Sequence, residues 1–227
     1  MGIISIVKAN NLLWLGRYAE RTYTTLQVFT TYYDKMIDMD FEAYKSYCDQ
    51  LGIPDIYKDK KDFGIQYIFN TEDPNSLVSN LSRAHDNAMV VRDTISSEAL
   101  SYLEMALNIL KAGYKGHTPL REMQKVLDEL MAFWGCLDDF VEDEESRNVI
   151  KVGRYLERLD LYFRFSMPYD KKMKEYMKLG NRLMRSHLKY KEETMQRLLD
   201  IINADSGEKI IRFEAVSCIN HLLEEGF

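Results

Sequence analysis

Two short stretches of this chain hold residue types that can do chemistry. Residues 15–21 read Leu-Gly-Arg-Tyr-Ala-Glu-Arg, and residues 152–158 read Val-Gly-Arg-Tyr-Leu-Glu-Arg. Gly16, Arg17, Tyr18, Glu20 and Arg21 return in the same order as Gly153, Arg154, Tyr155, Glu157 and Arg158. A carboxylate set between guanidiniums has two chemical uses. Glu20 or Glu157 can serve as a general base while the arginines stabilise developing negative charge. Alternatively, the planar arginine forks grip carboxylates, either a ligand's or the protein's own. Three more polar residues, Asn87, Arg92 and Glu98, are candidates to join the set, as is Asp160 just past the second motif. Ser96 or Ser97 with Glu98 reads equally well as plain helix capping.

The elements that must position these groups are helical. Leu15, Ala19, Thr22, Leu26, Phe29, Tyr33 and Met36 follow each other in steps of three and four, tracing one seam of a helix. From Ala9 through Tyr33 the only charged residues are Arg17, Glu20 and Arg21. A helix that is apolar nearly all round is buried, so these three charges are expected inside the protein. Buried charges cost several kcal/mol each unless paired. The second Arg/Glu/Arg set is the obvious source of partners. Gly16 and Gly153 would let the two backbones approach. The expectation is therefore one polar network of Arg17, Glu20, Arg21, Arg154, Glu157 and Arg158. It is either a structural network that sets helix register or a ligand or catalytic site.

Composition narrows the class. The chain has 227 residues, read as one domain spanning 1–227, and a net charge of −6, which argues against a general nucleic-acid binder. Cys48, Cys136 and Cys218 are scattered and form no Cys-x-x-Cys pair, which suits a reducing cytoplasm and supplies no zinc site. No apolar run is long enough to span a bilayer, and the N-terminus lacks a signal-peptide cleavage pattern. His85, His117, His187 and His221 form neither Glu-x-x-His nor His-Glu-x-x-His, so no metal is assigned. Glycine-rich phosphate loops and Gly-x-Ser-x-Gly are missing too, and no motif names a cofactor.

Along the chain, helices are expected at about 5–37, 41–51 and 63–69. Asp73-Pro74 signals the next start, with that helix running to Thr94 and restarting or kinking at Ser96-Ser97. Thr118-Pro119 opens another, with Met123, Leu127, Leu130, Met131 and Trp134 inward. The acidic run Asp138–Glu145 reads as a solvated helix end that favours the dipole of the following motif helix, 146–165. The helix at 169–190 carries Lys171, Lys174, Lys178, Arg182, Arg185 and Lys189 opposite Met173, Met177, Met184 and Leu188. Two helices, 192–202 and 209–224, complete an all-α bundle of about eight helices.

These residues carry a family resemblance. Trp14 through Arg21 resembles the N-terminal signature of the alpha-E domain family, and Val152 through Asp160 resembles its second Glu-Arg motif. Asn87-Ala88 and Val91-Arg92 through Glu98 resemble its central segment. After the second motif Asp160 and Arg164 stand as the family has them. After the first, Tyr23 and Gln27 replace the usual acid and arginine. In the central segment His85, Asp86, Met89 and Leu100 stand where Arg, Glu, Arg and Trp are usual, which marks a divergent member. The resemblance implies a helical prokaryotic protein of undefined activity, associated with ATP-grasp peptide-ligase-like and transglutaminase-like proteins. That points to a helical accessory partner in peptide ligation or modification, with a peptide as ligand. The alternatives are an enzyme acting on amide bonds through Glu20 or Glu157, and an anionic-surface binder using helix 169–190.

Overall fold

A computed structural model describes residues 4–116, 120–204 and 209–224. These residues form ten helices and no strand, with a single β-type pairing between Tyr190 and Leu223. The helices are α1 (Ile6–Asp38), α2 (Ala43–Leu51), α3 (Lys60–Phe69), α4 (Leu77–Val90), α5 (Ser97–Lys111), α6 (Leu120–Phe140), α7 (Glu144–Arg164), α8 (Tyr169–Ser186), α9 (Glu192–Ala204) and α10 (Lys209–Asn220). None of the described helices is long and apolar enough to cross a membrane.

The two motif helices, α1 and α7, form the centre. α8 and α10 lie against α7, α4 against α1, and α5 bridges α4 and α6. The seam read from the sequence is the buried face of α1: Leu15, Ala19, Thr22, Leu26 and Phe29 have no exposed surface. At its far end the helix enters an aromatic cluster. Phe29, Tyr47, Phe63 and Tyr67 pack with ring centroids no further apart than the 6.2 Å between Phe29 and Tyr47. The Tyr47 hydroxyl sits 2.9 Å from that of Tyr67 and 3.0 Å from the Thr25 carbonyl. Cys48 lies in this cluster, and burial pushes its thiol up to about 12, which leaves it inert.

α1 starts at Ser5, whose hydroxyl accepts the Lys8 N–H, and α7 starts at Asp143, whose carboxylate accepts the Ser146 N–H at 2.9 Å. With Glu144 and Glu145 in the first turn of α7, the acidic run does its expected work on the helix dipole. One of its members, Asp138, also pairs with Lys151.

Several expectations are corrected. The helix count is ten among the described residues rather than about eight. The expected restart at Ser96-Ser97 is a full break, since α4 stops at Val90 and Ser96 caps α5 by accepting the Ala99 N–H at 3.0 Å. Asp73-Pro74 does not open α4. Asp73 instead makes a turn by accepting the Asn75 N–H, and Ser76 is the cap. α3 begins at Lys60, because Asp59 caps it through the Lys61 and Asp62 N–H groups. Thr118-Pro119 and His117 lie outside the described residues. Met131 is 58 % exposed, and the inward residues there are Leu130, Phe133 and Trp134. On α8 the buried seam is Lys172, Glu175, Leu179, Leu183 and Ser186, while Met177 and Met184 are exposed. The basic stripe is correspondingly broken: Lys178 pairs with Glu175 at 2.8 Å, and Arg182 donates to Asn148 at 3.0 Å.

Candidate functional site

The site begins with two glycines. A Cβ on Gly16 would stand 2.1 Å from the Ile150 carbonyl oxygen, and one on Gly153 would stand 2.1 Å from that of Leu13. These are equivalent contacts in the repeat, so each helix presses its glycine onto the backbone three residues before the other's. Partner numbers rise together along the contact, from Gly16 beside Ile150 and Arg154 to Glu20 beside Arg154 and Arg158. The two helices therefore run in the same direction and are related by a local pseudo-two-fold. That symmetry carries each glutamate across to the other helix's arginines.

Glu20 has no exposed surface. Arg158 grips it with two parallel bonds, Nε to Oε1 at 2.6 Å and Nη2 to Oε2 at 2.8 Å, and Arg154 Nε adds 3.1 Å to Oε2. The Thr24 hydroxyl donates to Oε1 at 2.6 Å. Four donors satisfy both oxygens. Other helices close this half: Trp134 of α6 stacks on Arg154 with its guanidinium 4.0 Å from the ring centroid, and Glu175 of α8, 4 % exposed, comes within 3.5 Å of Arg158. The Glu20 and Glu175 carboxylates hold the Arg158 guanidinium's pKa above its ordinary value against the effect of burial.

Glu157 is 2 % exposed and occupies the equivalent place. Arg17 Nε donates to Oε2 at 2.8 Å. Arg21 Nε stands 2.6 Å from Oε1, so each oxygen of Glu157 has an arginine beside it. The position matching Thr24 is Leu161, so no hydroxyl joins them. Burial raises the Glu157 pKa, but Arg21 and Arg17 outweigh it and hold the carboxyl below its usual range. Asp160, 1 % exposed, receives Arg164 Nε at 2.6 Å, and Arg21 Nη2 is 4.0 Å away. Burial and the neighbouring Glu157 charge push Asp160 upward. In the first copy the matching pair is neutral, with the Gln27 amide donating to the Tyr23 hydroxyl at 3.0 Å.

A cleft of about 420 Å³ is lined by residues of this second half. Arg17, Arg21 and Arg83 line it with Glu157, beside the stacked rings of Trp14 and Tyr18, 5.2 Å apart. The Arg17 guanidinium lies 5.0 Å from the Trp14 ring centroid and that of Arg83 lies 5.6 Å from Tyr18. Arg17 Nη2 also donates to Asn220 at the end of α10, at 2.9 Å. Arg83 donates to the Pro74 carbonyl at 2.8 Å and has no acidic partner among the described residues. Three guanidiniums thus face one carboxylate.

The structure brings Arg17, Glu20, Arg21, Arg154, Glu157, Arg158 and Asp160 together. It keeps Asn87, Arg92 and Glu98 apart from them. Asn87 folds back onto the Arg83 carbonyl of its own helix at 2.7 Å, while Arg92 and Glu98 are exposed on either side of the α4–α5 turn. Glu175, Arg83, Thr24 and Asn220 were not singled out from sequence. Glu175 had a signal, an acid at buried spacing with Leu179 and Leu183, hidden by the lysines around it. Asn220 had none. Among the described residues no group of histidines, cysteines and acids could hold a metal ion.

Residues 8–206 match the model of the Alpha-E family, a predicted alpha-helical domain with a conserved ER motif, and the chain belongs to that family. The two Glu-Arg pairs are Glu20-Arg21 and Glu157-Arg158; α10, with Asn220, lies beyond the matched residues. No curated protein and no solved structure matches the chain.

Proposed function

We propose that this protein is a helical accessory component of a peptide-ligation or peptide-modification system. It works beside an ATP-grasp-like or transglutaminase-like protein, and the cleft at Glu157 receives an acidic group of the peptide. The observation that carries this reading is the meeting of Arg17, Arg21 and Arg83 on one cleft wall with a single carboxylate. Guanidinium forks in a partly dry cleft are suited to carboxylates, and the cleft volume falls in the range of small-ligand sites. The Glu20 half does structural work: its charges are spent on each other, and it fixes the register of α1 against α7.

Two measurements test this. The chain should co-purify with an ATP-grasp-like partner at micromolar concentration, and failure to associate would count against the accessory role. An acidic peptide should bind, and Arg83→Ala should weaken it by about tenfold, the worth of one hydrogen bond to a charged group. Unchanged affinity in that variant would remove the cleft from the reading.

An enzyme acting on amide bonds is the second reading, favoured by one fact: among the described residues Glu157 is the one carboxylate on the wall of this cleft. Glu20, with four donors and no exposed surface, is a poor candidate for the base. A carboxyl held below its usual range is itself a weak base at neutral pH. Amide turnover that disappears in a folded Glu157→Gln variant would establish this reading over the first.

A further inference from the structure

The charges on the cleft wall are out of balance. Arg17, Arg21 and Arg83 line it, and among the described residues Glu157 is the one acid that does. Arg17 and Arg21 each present Nε to one Glu157 oxygen. The next acid, Asp160, is taken by Arg164 at 2.6 Å. Two positive charges therefore stay uncancelled. They are reachable: the Arg17 and Arg21 side chains are 12 % and 24 % exposed, and Arg83 is half-buried. In a partly dry cleft such charge attracts a counter-charge more strongly than it would in water, and one carboxylate answers only half of it. The surplus also sits in two places. The Arg17 guanidinium lies against the Trp14 ring, and that of Arg83 lies against Tyr18, the other ring of the stack. A phosphoryl group gathers its two charges around one phosphorus. Two carboxylates on one residue stand apart, with apolar methylene groups between them.

We propose that the cleft binds a dicarboxylate, the C-terminal glutamate or aspartate of a peptide. One carboxylate lies on Arg83 and the other on the outward edges of Arg17 and Arg21. The methylene groups between them lie over Trp14 and Tyr18. This deepens the acidic-group reading above and rests on it.

The test titrates the full chain with N-acetylglutamate, N-acetylglutamine and methyl phosphate, followed by calorimetry at about pH 8, where a phosphoryl group is doubly charged. N-acetylglutamine has nearly the same shape as N-acetylglutamate and one charge fewer. N-acetylglutamate should bind saturably and about tenfold tighter than N-acetylglutamine, the worth of one hydrogen bond to a charged group. Methyl phosphate should be weaker than N-acetylglutamate. In Arg83→Ala, or in Arg83→Gln should the shorter side chain disturb α4, N-acetylglutamate and N-acetylglutamine should bind alike, with circular dichroism verifying that the fold is kept. Equal binding of the two in the wild type overturns the second carboxylate while leaving acidic-group capture standing. A preference that survives the loss of Arg83 overturns the placement on that residue. Methyl phosphate binding tightest overturns the dicarboxylate in favour of a phosphoryl group. Absence of binding by every probe overturns both readings of the cleft, and the partner reading is then judged by co-purification alone.

Discussion

Glu20 and Glu157 hold the same position in the repeated motif, each faces the equivalent pair of arginines on the opposite helix, and they end in different surroundings. Glu20 has every acceptor filled, with a threonine hydroxyl completing what two arginines begin. α6 and α8 close over it through Trp134 and Glu175. Glu157 has leucine where the threonine would be, so only its two arginines hold it, and it has a cleft at its side. A symmetric motif has thus been given two jobs by asymmetric neighbours. The closed half spends its charges on holding two helices together. The open half keeps charge that a ligand can use.

The largest effect should come from the element both halves share. Gly16→Ala or Gly153→Ala drives a methyl group into a carbonyl oxygen of the facing helix. Either variant should lose about 3 kcal/mol or more by forcing the backbones apart, seen as a much lower melting temperature. The pseudo-symmetry requires the two losses to be similar, and a tolerant glycine would break the picture of one shared crossing.

Next comes the comparison of the two carboxylates. Glu20→Gln leaves buried arginines facing an amide, and should cost about 3–5 kcal/mol, a fall in melting temperature of roughly 6–20 °C at about 2–4 °C per kcal/mol. Glu157→Gln should cost clearly less, because its arginines border the cleft and it has no hydroxyl donor to match Thr24. Equal losses would erase the distinction between a closed and an open half.

Acid titration separates the halves further. Arg21 and Arg17 hold Glu157, against the opposing effect of burial, below its ordinary value of 4.5. Its stabilising contribution is therefore complete above that value and is lost as pH falls through the lower folded-state one. Asp160 runs the other way. It is raised above 3.8 by burial and by Glu157, so its contribution is complete below 3.8 and is lost as pH rises through the folded-state value. Melting curves from neutral pH down to the acid limit should show these opposing limbs in the wild type. Glu157→Gln should have a smaller low-pH fall, the remainder coming from the Asp143 cap, whose carboxyl the hydrogen bonds from Ser146 also hold below its usual value. The smallest effect is expected at the first copy's neutral pair: Tyr23→Phe removes an exposed hydrogen bond to Gln27 and should change stability by no more than about 0.5 kcal/mol. A larger loss would mean that this pair does the work of Asp160 and Arg164 after all.

Much of the centre was legible beforehand, and for definite reasons. A helix with charges at only three places in twenty-five residues has to bury them, and a second copy of those charges names the partner. Glycine inside an otherwise good helix predicts a close backbone approach. The misreadings share one cause. Asn87, Arg92 and Glu98 are polar residues near one another in sequence, but a helix end and a turn send them outward or back onto their own backbone. On α8 the expected stripe holds at Met173, packed on the core, and at buried Leu188, while Met177 and Met184 face outward and the seam includes Glu175, which meets Arg158 of α7.

The sequence by itself determined that the chain is helical, that two Gly-Arg-Tyr-x-Glu-Arg segments meet, and that their charges pair across the meeting, since the cost of burying an unpaired charge leaves little alternative. It did not determine which half stays reachable. Trp134, Glu175, Arg83 and Asn220 decide that, arriving from four other helices at sequence distances no local pattern records. Surroundings are set by everything packed around a group, so two like motifs, both with buried carboxylates, came to border different neighbours only when the rest of the chain had folded over them.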